Sequence, residues 1–203
     1  MKKIVFLLFF LIISIKNIQA HNPLSAMYYL EVKEDLGILN ISLSQTGLNE
    51  ALKKHYSSSN VVELSAIEYK QLAVRYLKEN FNLNINGETI VLSEGGIKLG
   101  NHQTDAKFIV KDLPKTFKTL NIDINAFKEN KNHQTVFSVL LNGNTSKVVL
   151  NKNKDYTASV VFKKGLMVTN TSSFNTNYLW FIVIIPVFLF GKKIINKKNK
   201  EVQ

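Results

Sequence analysis

Apolar and polar residues alternate through most of the chain between Ala26 and Phe162, and this period of two predicts half-buried β-strands. Met27-Tyr-Tyr-Leu-Glu-Val32 is the first candidate strand and the Ile-Leu-Asn-Ile-Ser-Leu-Ser run of Gly37 to Ser44 the second. The charged stretch Lys33-Glu34-Asp35-Leu36-Gly37 reads as the hairpin turn between them. The spacing then becomes helical. Leu48, Ala51, Leu52 and Tyr56 outline a short amphipathic helix that ends in Ser57-Ser58-Ser59-Asn60. A longer helix follows, opened by Ser65 and Glu68 in a capping-box arrangement. Tyr69, Leu72, Ala73, Tyr76, Leu77 and Phe81 form its apolar stripe, and Lys70, Arg75, Lys78 and Glu79 its solvated face.

After Phe81 the alternation returns. Leu83 and Ile85 lead through Asn86-Gly87 into Thr89-Ile-Val-Leu92, a two-residue hairpin signal. Gly95-Gly96 and Gly100-Asn101-His102 read as a glycine-rich loop, a hairpin tip. Lys107 to Val110, Thr119 to Ile124, Val136 to Leu141, Lys147 to Leu150 and Thr157 to Phe162 complete the strands, with turns at Leu113-Pro114 and Asn142-Gly143. Two strands, two helices and then six or seven strands exclude a doubly wound parallel sheet. The expected fold is mainly β (α+β): an antiparallel β-sandwich with two helices inserted after the second strand.

The two ends carry longer apolar runs. Met1-Lys2-Lys3, the 12-residue apolar run Ile4 to Ile15 and the polar exit Lys16 to Ala20 have the layout of a secretory signal peptide, 1–20, cleaved after Ala20 to leave His21 first. Such a run is shorter than the roughly 17 to 25 residues a membrane span needs. Residues 21–164 then form the exported β-rich domain. Residues 165–177, rich in Ser, Thr and Asn, read as a flexible connector. The apolar run Tyr178 to Phe190 is 13 residues long, and Ile194 and Ile195 extend it while Lys192 and Lys193 snorkel, giving an expected transmembrane anchor over 178–195. Tyr178 and Trp180 suit one interface and the lysines the cytoplasmic one, so 196–203 is a basic cytoplasmic tail and the chain a single-pass protein, N-terminus out and C-terminus in. Pro186 is tolerated inside such a span.

Charge changes meaning once it is divided this way. The net charge is +11, but Lys2, Lys3 and Lys16 give +3 to the first segment and the tail lysines against Glu201 give +4. The remaining +4 is spread over the whole domain, so the excess is a targeting signal and no nucleic-acid partner is expected. The chain has no cysteine, which excludes disulfides, thiolate metal sites and cysteine nucleophiles.

Several stretches carry a family resemblance. His21-x-Pro23, Ser25, the Ile38-to-Leu43 strand, Leu48-Asn-Glu-Ala-Leu52, Tyr76-Leu-Lys-Glu-Asn-Phe81-x-Leu83-x-Ile85-Asn86-Gly87 and Leu141-Asn142-Gly143 resemble a family of small exported bacterial proteins of unknown function. The resemblance covers residues 21 to 163. A weaker similarity runs to the exported N-terminal region of hydrogenase/urease accessory membrane proteins, which also begin with histidine after the signal peptide. The resemblance implies export and this order of elements, and implies no activity. Asn22 between the histidine and the proline departs from the family pattern, as does the C-terminal anchor.

Candidate chemistry is sparse. As a mature N-terminus, His21 offers an α-amine and an imidazole, both ligands for copper or nickel, with His102 and His133 as further nitrogens and His55 a fourth histidine. No pair sits at the short spacing of a helix-borne metal motif, so the fold would have to assemble the site. Glu31, Glu34, Asp35, Asp105, Asp112 and Asp123 supply carboxylates without a spacing that fixes a catalytic pair. No Gly-x-Ser-x-Gly and no Lys-Ser/Thr phosphate loop is present. The expectation is a membrane-tethered, non-catalytic module on the extracytoplasmic (periplasmic) side of the cell membrane that binds an envelope protein partner. The alternative is a periplasmic metal-binding accessory protein using His21.

Overall fold

The computed structural model describes residues 25–34, 36–57, 61 and 63–169. The signal-peptide, His21, Asp35, Ser58-to-Asn60, anchor and tail readings, and the part of the connector from 170 to 177, lie outside the described residues. Among the described residues no helix is long and apolar enough to cross a membrane.

Among the described residues eleven strands and two α-helices follow in order: β1 (Ala26–Lys33), β2 (Leu36–Ser44), α1 (Gln45–His55), α2 (Ala66–Glu79), β3 (Phe81–Ile85), β4 (Glu88–Ile90), β5 (Leu92–Leu99), β6 (Gln103–Val110), β7 (Thr119–Ile124), β8 (Gln134–Leu141), β9 (Asn144–Asn151), β10 (Thr157–Lys163) and β11 (Leu166–Thr169). They form a six-stranded sheet in the order β5-β6-β2-β1-β8-β9 and a five-stranded sheet in the order β11-β10-β7-β3-β4. The fold is therefore mainly β with two helices after the second strand.

Alternation explains the core. Tyr28 and Leu30 of β1, Leu39 and Ile41 of β2, Phe108 of β6 and Phe137 and Val139 of β8 point inward from the first sheet. Leu83, Ile85, Leu120, Ile122 and Ile124 point inward from the second, and all belong to one apolar cluster. The Tyr28 ring stacks on Phe81 across it, centroids 6.0 Å apart. Leu48 and Leu52 of α1 and Ala73, Tyr76 and Leu77 of α2 join the same cluster. Ser44 caps α1 by accepting from the Gly47 N–H, and Ser65 and Glu68 cap α2 reciprocally, as the capping-box spacing predicts.

Both Asn-Gly turns join adjacent antiparallel strands. Asn86 and Gly87 sit at φ 56° and 94°, Asn142 and Gly143 at 50° and 79°, the positive pair that matches strand twist. The Asn86 side chain also accepts from the Lys118 and Thr119 N–H groups and donates to the Thr116 carbonyl, which fastens this hairpin to the start of β7.

Four expectations are corrected. The first sheet is mixed, because β1 and β8 run parallel, from Ala26 opposite Thr135 to Glu31 opposite Leu140. Alternation is blind to strand direction, and a crossover can be as long as the chain between two strands allows. The glycine-rich loop is an edge strand, β5, in which a bulge between Leu92 and Gly95 absorbs one residue. Thr89 to Leu92 is split at exposed Val91, where the chain leaves one sheet and enters the other. Finally, β11 occupies Leu166–Thr169, where composition suggested spacer, and pairs with β10 from Lys163 opposite Leu166 to Val160 opposite Thr169.

Candidate binding surface

The outward residues of the six-stranded sheet fall into cross-strand rows. One row runs Lys98, Asp105, Ser42, Met27 and Val136; the next runs Gly96, Lys107, Asn40, Tyr29 and Ser138. Gly96 contributes no side chain to its row, and a groove of about 740 Å³ opens there, lined by Met27, Tyr29, Lys98, Asp105, Lys107 and Ile109. Met27, on its β1 side, is 57% exposed, which is unusual for a methionine on a strand. The lining is largely apolar, with two lysines and an aspartate at its β5–β6 side and the Lys33–Glu31 ion pair (3.0 Å) on the neighbouring part of the face. A soft, polarisable methionine beside an aromatic ring, rimmed by charge, has the make-up of a protein-contact surface.

A second constellation lies between the helices and the loop from β7 to β8. The Glu129 carboxylate receives the Tyr76 hydroxyl at 2.9 Å on one oxygen and faces His55 Nδ1 at 2.7 Å with the other. The Tyr76 oxygen accepts the Phe127 N–H at 2.5 Å, and Lys54 Nζ donates to the Glu129 carbonyl at 3.1 Å. Burial pushes the Tyr76 hydroxyl far above its usual range; the Glu129 charge adds to this and the Phe127 N–H opposes it. Phe127 itself is buried at φ 69°, a conformation bulky residues adopt only when their surroundings impose it. Asn130 Nδ2 donates to the Gly47 carbonyl at 2.8 Å, tying the same loop to α1.

Histidine, glutamate and tyrosine in one chain of contacts could serve acid–base chemistry, but none of the three lines the groove, and every one of these contacts fastens loop 125–133 to a helix. The arrangement is a clamp.

A third network is neutral. Thr104, fully buried, donates to the Gln45 side chain, Gln45 Nε2 donates to Asn49 Oδ1 at 3.1 Å and to the Tyr69 hydroxyl at 3.3 Å, and Tyr69 donates to Asn49. It joins β6, α1 and α2 beside a cavity of about 430 Å³. Burial raises the Tyr69 hydroxyl to about 12, with the Gln45 bond pulling the other way.

The candidate metal ligands are placed apart. His102 is exposed at the turn before β6, whereas His133 is buried just before β8 and pairs through Nε2 with Thr135 Oγ1 at 2.9 Å. Both stand at the same end of the six-stranded sheet, but β2 and β1 lie between their strands, three inter-strand spacings or about 14 Å. His55 is engaged with Glu129. Among the described residues no group of three or more His, Asp or Glu is placed to hold a metal ion.

The sequence pattern placed Tyr29, Asn40 and Lys107 in strands without assigning their faces. It carried no sign of the groove, which depends on Gly96 lying in a strand, nor of the Glu129 clamp, whose partners are more than 50 positions away. No family model and no curated protein matches this chain.

Proposed function

We propose that this chain is a membrane-tethered, non-catalytic binding module of the cell envelope, exported by its N-terminal signal peptide and held by an anchor over 178–195. In this reading the two sheets pack face to face as a β-sandwich on the extracytoplasmic side, and the family resemblance to small exported bacterial proteins describes its origin. The observation that carries the binding role is the exposed Met27–Tyr29 groove on the outer face of the six-stranded sheet. The solvent face of a sheet normally carries polar side chains; an exposed Met27 beside Tyr29, with Lys98, Asp105 and Lys107 along the β5–β6 side of the same groove, supports a protein partner with apolar anchors and a charged rim. A tether raises the effective concentration of anything so bound, which makes a modest interface sufficient.

A photoreactive phenylalanine derivative placed at Tyr29 in living cells tests this. The expected result is one discrete adduct with another envelope protein, absent when the same group replaces Ile67, which is 70% exposed on α2 away from this face. Adducts of the same pattern from both positions, or none from position 29, would overturn the binding assignment.

A further inference from the structure

We infer that β5 is the interface of a two-fold dimer, in which the β5 edges of two copies pair antiparallel about Gly96 and join their six-stranded sheets. Among the described residues β5 pairs only with β6, so its outer edge ends the sheet. The sheet's other edge, β9, lies against β11, whose Met167 N–H donates to Ser146 Oγ at 3.0 Å. In the second sheet β4 is three residues long, too short to template a partner. β5 is eight residues long, has no proline, and exposes Glu94, Gly95 and Gly96 in succession. The bulge leaves the Ser93 carbonyl to Lys78 Nζ, at 2.7 Å, and among the described residues no other strand pairs with this edge. Beside it an open groove of about 610 Å³, between β5 and the Lys70, Val74 and Lys78 face of α2, gives an incoming strand access.

The occupant follows from the order of residues. In an antiparallel pair centred on Gly96, Glu94 of one copy lies opposite Lys98 of its partner, and Lys98 opposite Glu94. Both side chains belong to the outer face, where they line the same groove. On the inner face Ile97 comes opposite Gly95, at which a Cβ would meet Phe108 Cδ1 at 2.3 Å; the large side chain covers the position that cannot carry one. At the axis Gly96 meets its own copy, and a Cβ there has nothing within 4 Å. The edge is thus complementary to itself in charge and in bulk, which a segment of an unrelated protein would match only by chance. The inference does not rest on the Tyr29 contact, which lies three strands from the seam.

The absence of cysteine makes the test clean. In full-length chain purified in mild detergent, Gly96→Cys should form a disulfide-linked dimer on gentle oxidation, because Cα atoms facing each other in an antiparallel pair stand about 4.5–5.5 Å apart, within disulfide reach. Lys107→Cys, one strand in and about 14 Å from its copy, should not. Without crosslinking, sedimentation should show a concentration-dependent dimer that Lys98→Glu weakens about tenfold and that Lys98→Glu with Glu94→Lys restores to within about threefold. A chain that sediments as a monomer throughout and crosslinks no faster from position 96 than from position 107 overturns the proposal, as does a dimer indifferent to Lys98→Glu. A partner strand from another protein would appear as the first of these outcomes.

Discussion

Tyr28 and Tyr76 are both fully buried tyrosines of one core, and removing their hydroxyls should move stability in opposite directions. The Tyr28 ring stacks on Phe81, but its hydroxyl is buried with no hydrogen-bond partner among the described residues. Phenylalanine keeps the ring and its stacking and releases an unpaired polar group, whose burial costs about 1–3 kcal/mol. Tyr28→Phe should therefore stabilise the fold by about 1 kcal/mol, the lower end of that range, since the site adjusts around the lost atom. The Tyr76 hydroxyl instead makes two bonds, one to the Glu129 carboxylate and one from the Phe127 N–H. Tyr76→Phe removes a charge-assisted bond worth about 1.5–3 kcal/mol and leaves a buried N–H without its acceptor, so a loss of about 3 kcal/mol is expected. Urea denaturation followed by circular dichroism reads both. With m near 2 kcal/mol/M, about that of a domain this size, the midpoint should rise by about 0.5 M for the first variant and fall by about 1.5 M for the second, at unchanged m. Destabilisation by Tyr28→Phe, or shifts of the same sign in both variants, would refute the reasoning.

Two further predictions follow from the same side chains and from β5. Gly95→Ala should cost about 2 kcal/mol, because its Cβ would overlap Phe108 and the Lys107 carbonyl, whereas Gly96→Ala should be nearly neutral; equal effects by thermal melting would contradict the close approach of β5 to β6. Burial holds the Tyr28 and Tyr76 hydroxyls protonated well above their ordinary value of 10.0, so above that pH the unfolded chain releases protons that the folded chain keeps. Their contribution is full below pH 10.0 and stability declines as pH rises further, by about 1.4 kcal/mol per pH unit for each of the two, with Tyr69 ionising near about 12. Tyrosinate absorbance should therefore rise in two stages, the second coinciding with unfolding; complete ionisation of a still-folded chain would contradict the burial.

The elements most visible in the chain are those written in local chemistry. Ser65 and Glu68 announce α2, Asn86-Gly87 and Asn142-Gly143 announce their hairpins, and the alternation from Thr119 to Ile124 announces β7. What stayed hidden depends on partners far along the chain. Gly95 and Gly96 look like a loop because glycine weakens a strand in isolation; they lie in β5 because the backbone must approach Phe108 and Lys107 closely. β11 is four residues long, too short for a period to register. Glu129 is an unremarkable acid in sequence and becomes a clamp only when α1 and α2 bring His55 and Tyr76 to it. For the same reason histidines chosen by residue type alone did not foretell that β2 and β1 separate His102 from His133.

The central claim is that the folded domain stands outside the cytoplasmic membrane and is held there from its C-terminal side. Substituted-cysteine labelling measures this directly in a chain with no native cysteine. Lys164→Cys, in the exposed turn between β10 and β11, and Lys200→Cys, in the basic tail, are each expressed in intact cells and treated with a membrane-impermeant maleimide. The account predicts labelling at 164 without permeabilisation and at 200 only after it, with both variants in the membrane fraction. Labelling at both positions in intact cells, protection of position 164, or recovery of the chain in the soluble fraction would contradict it.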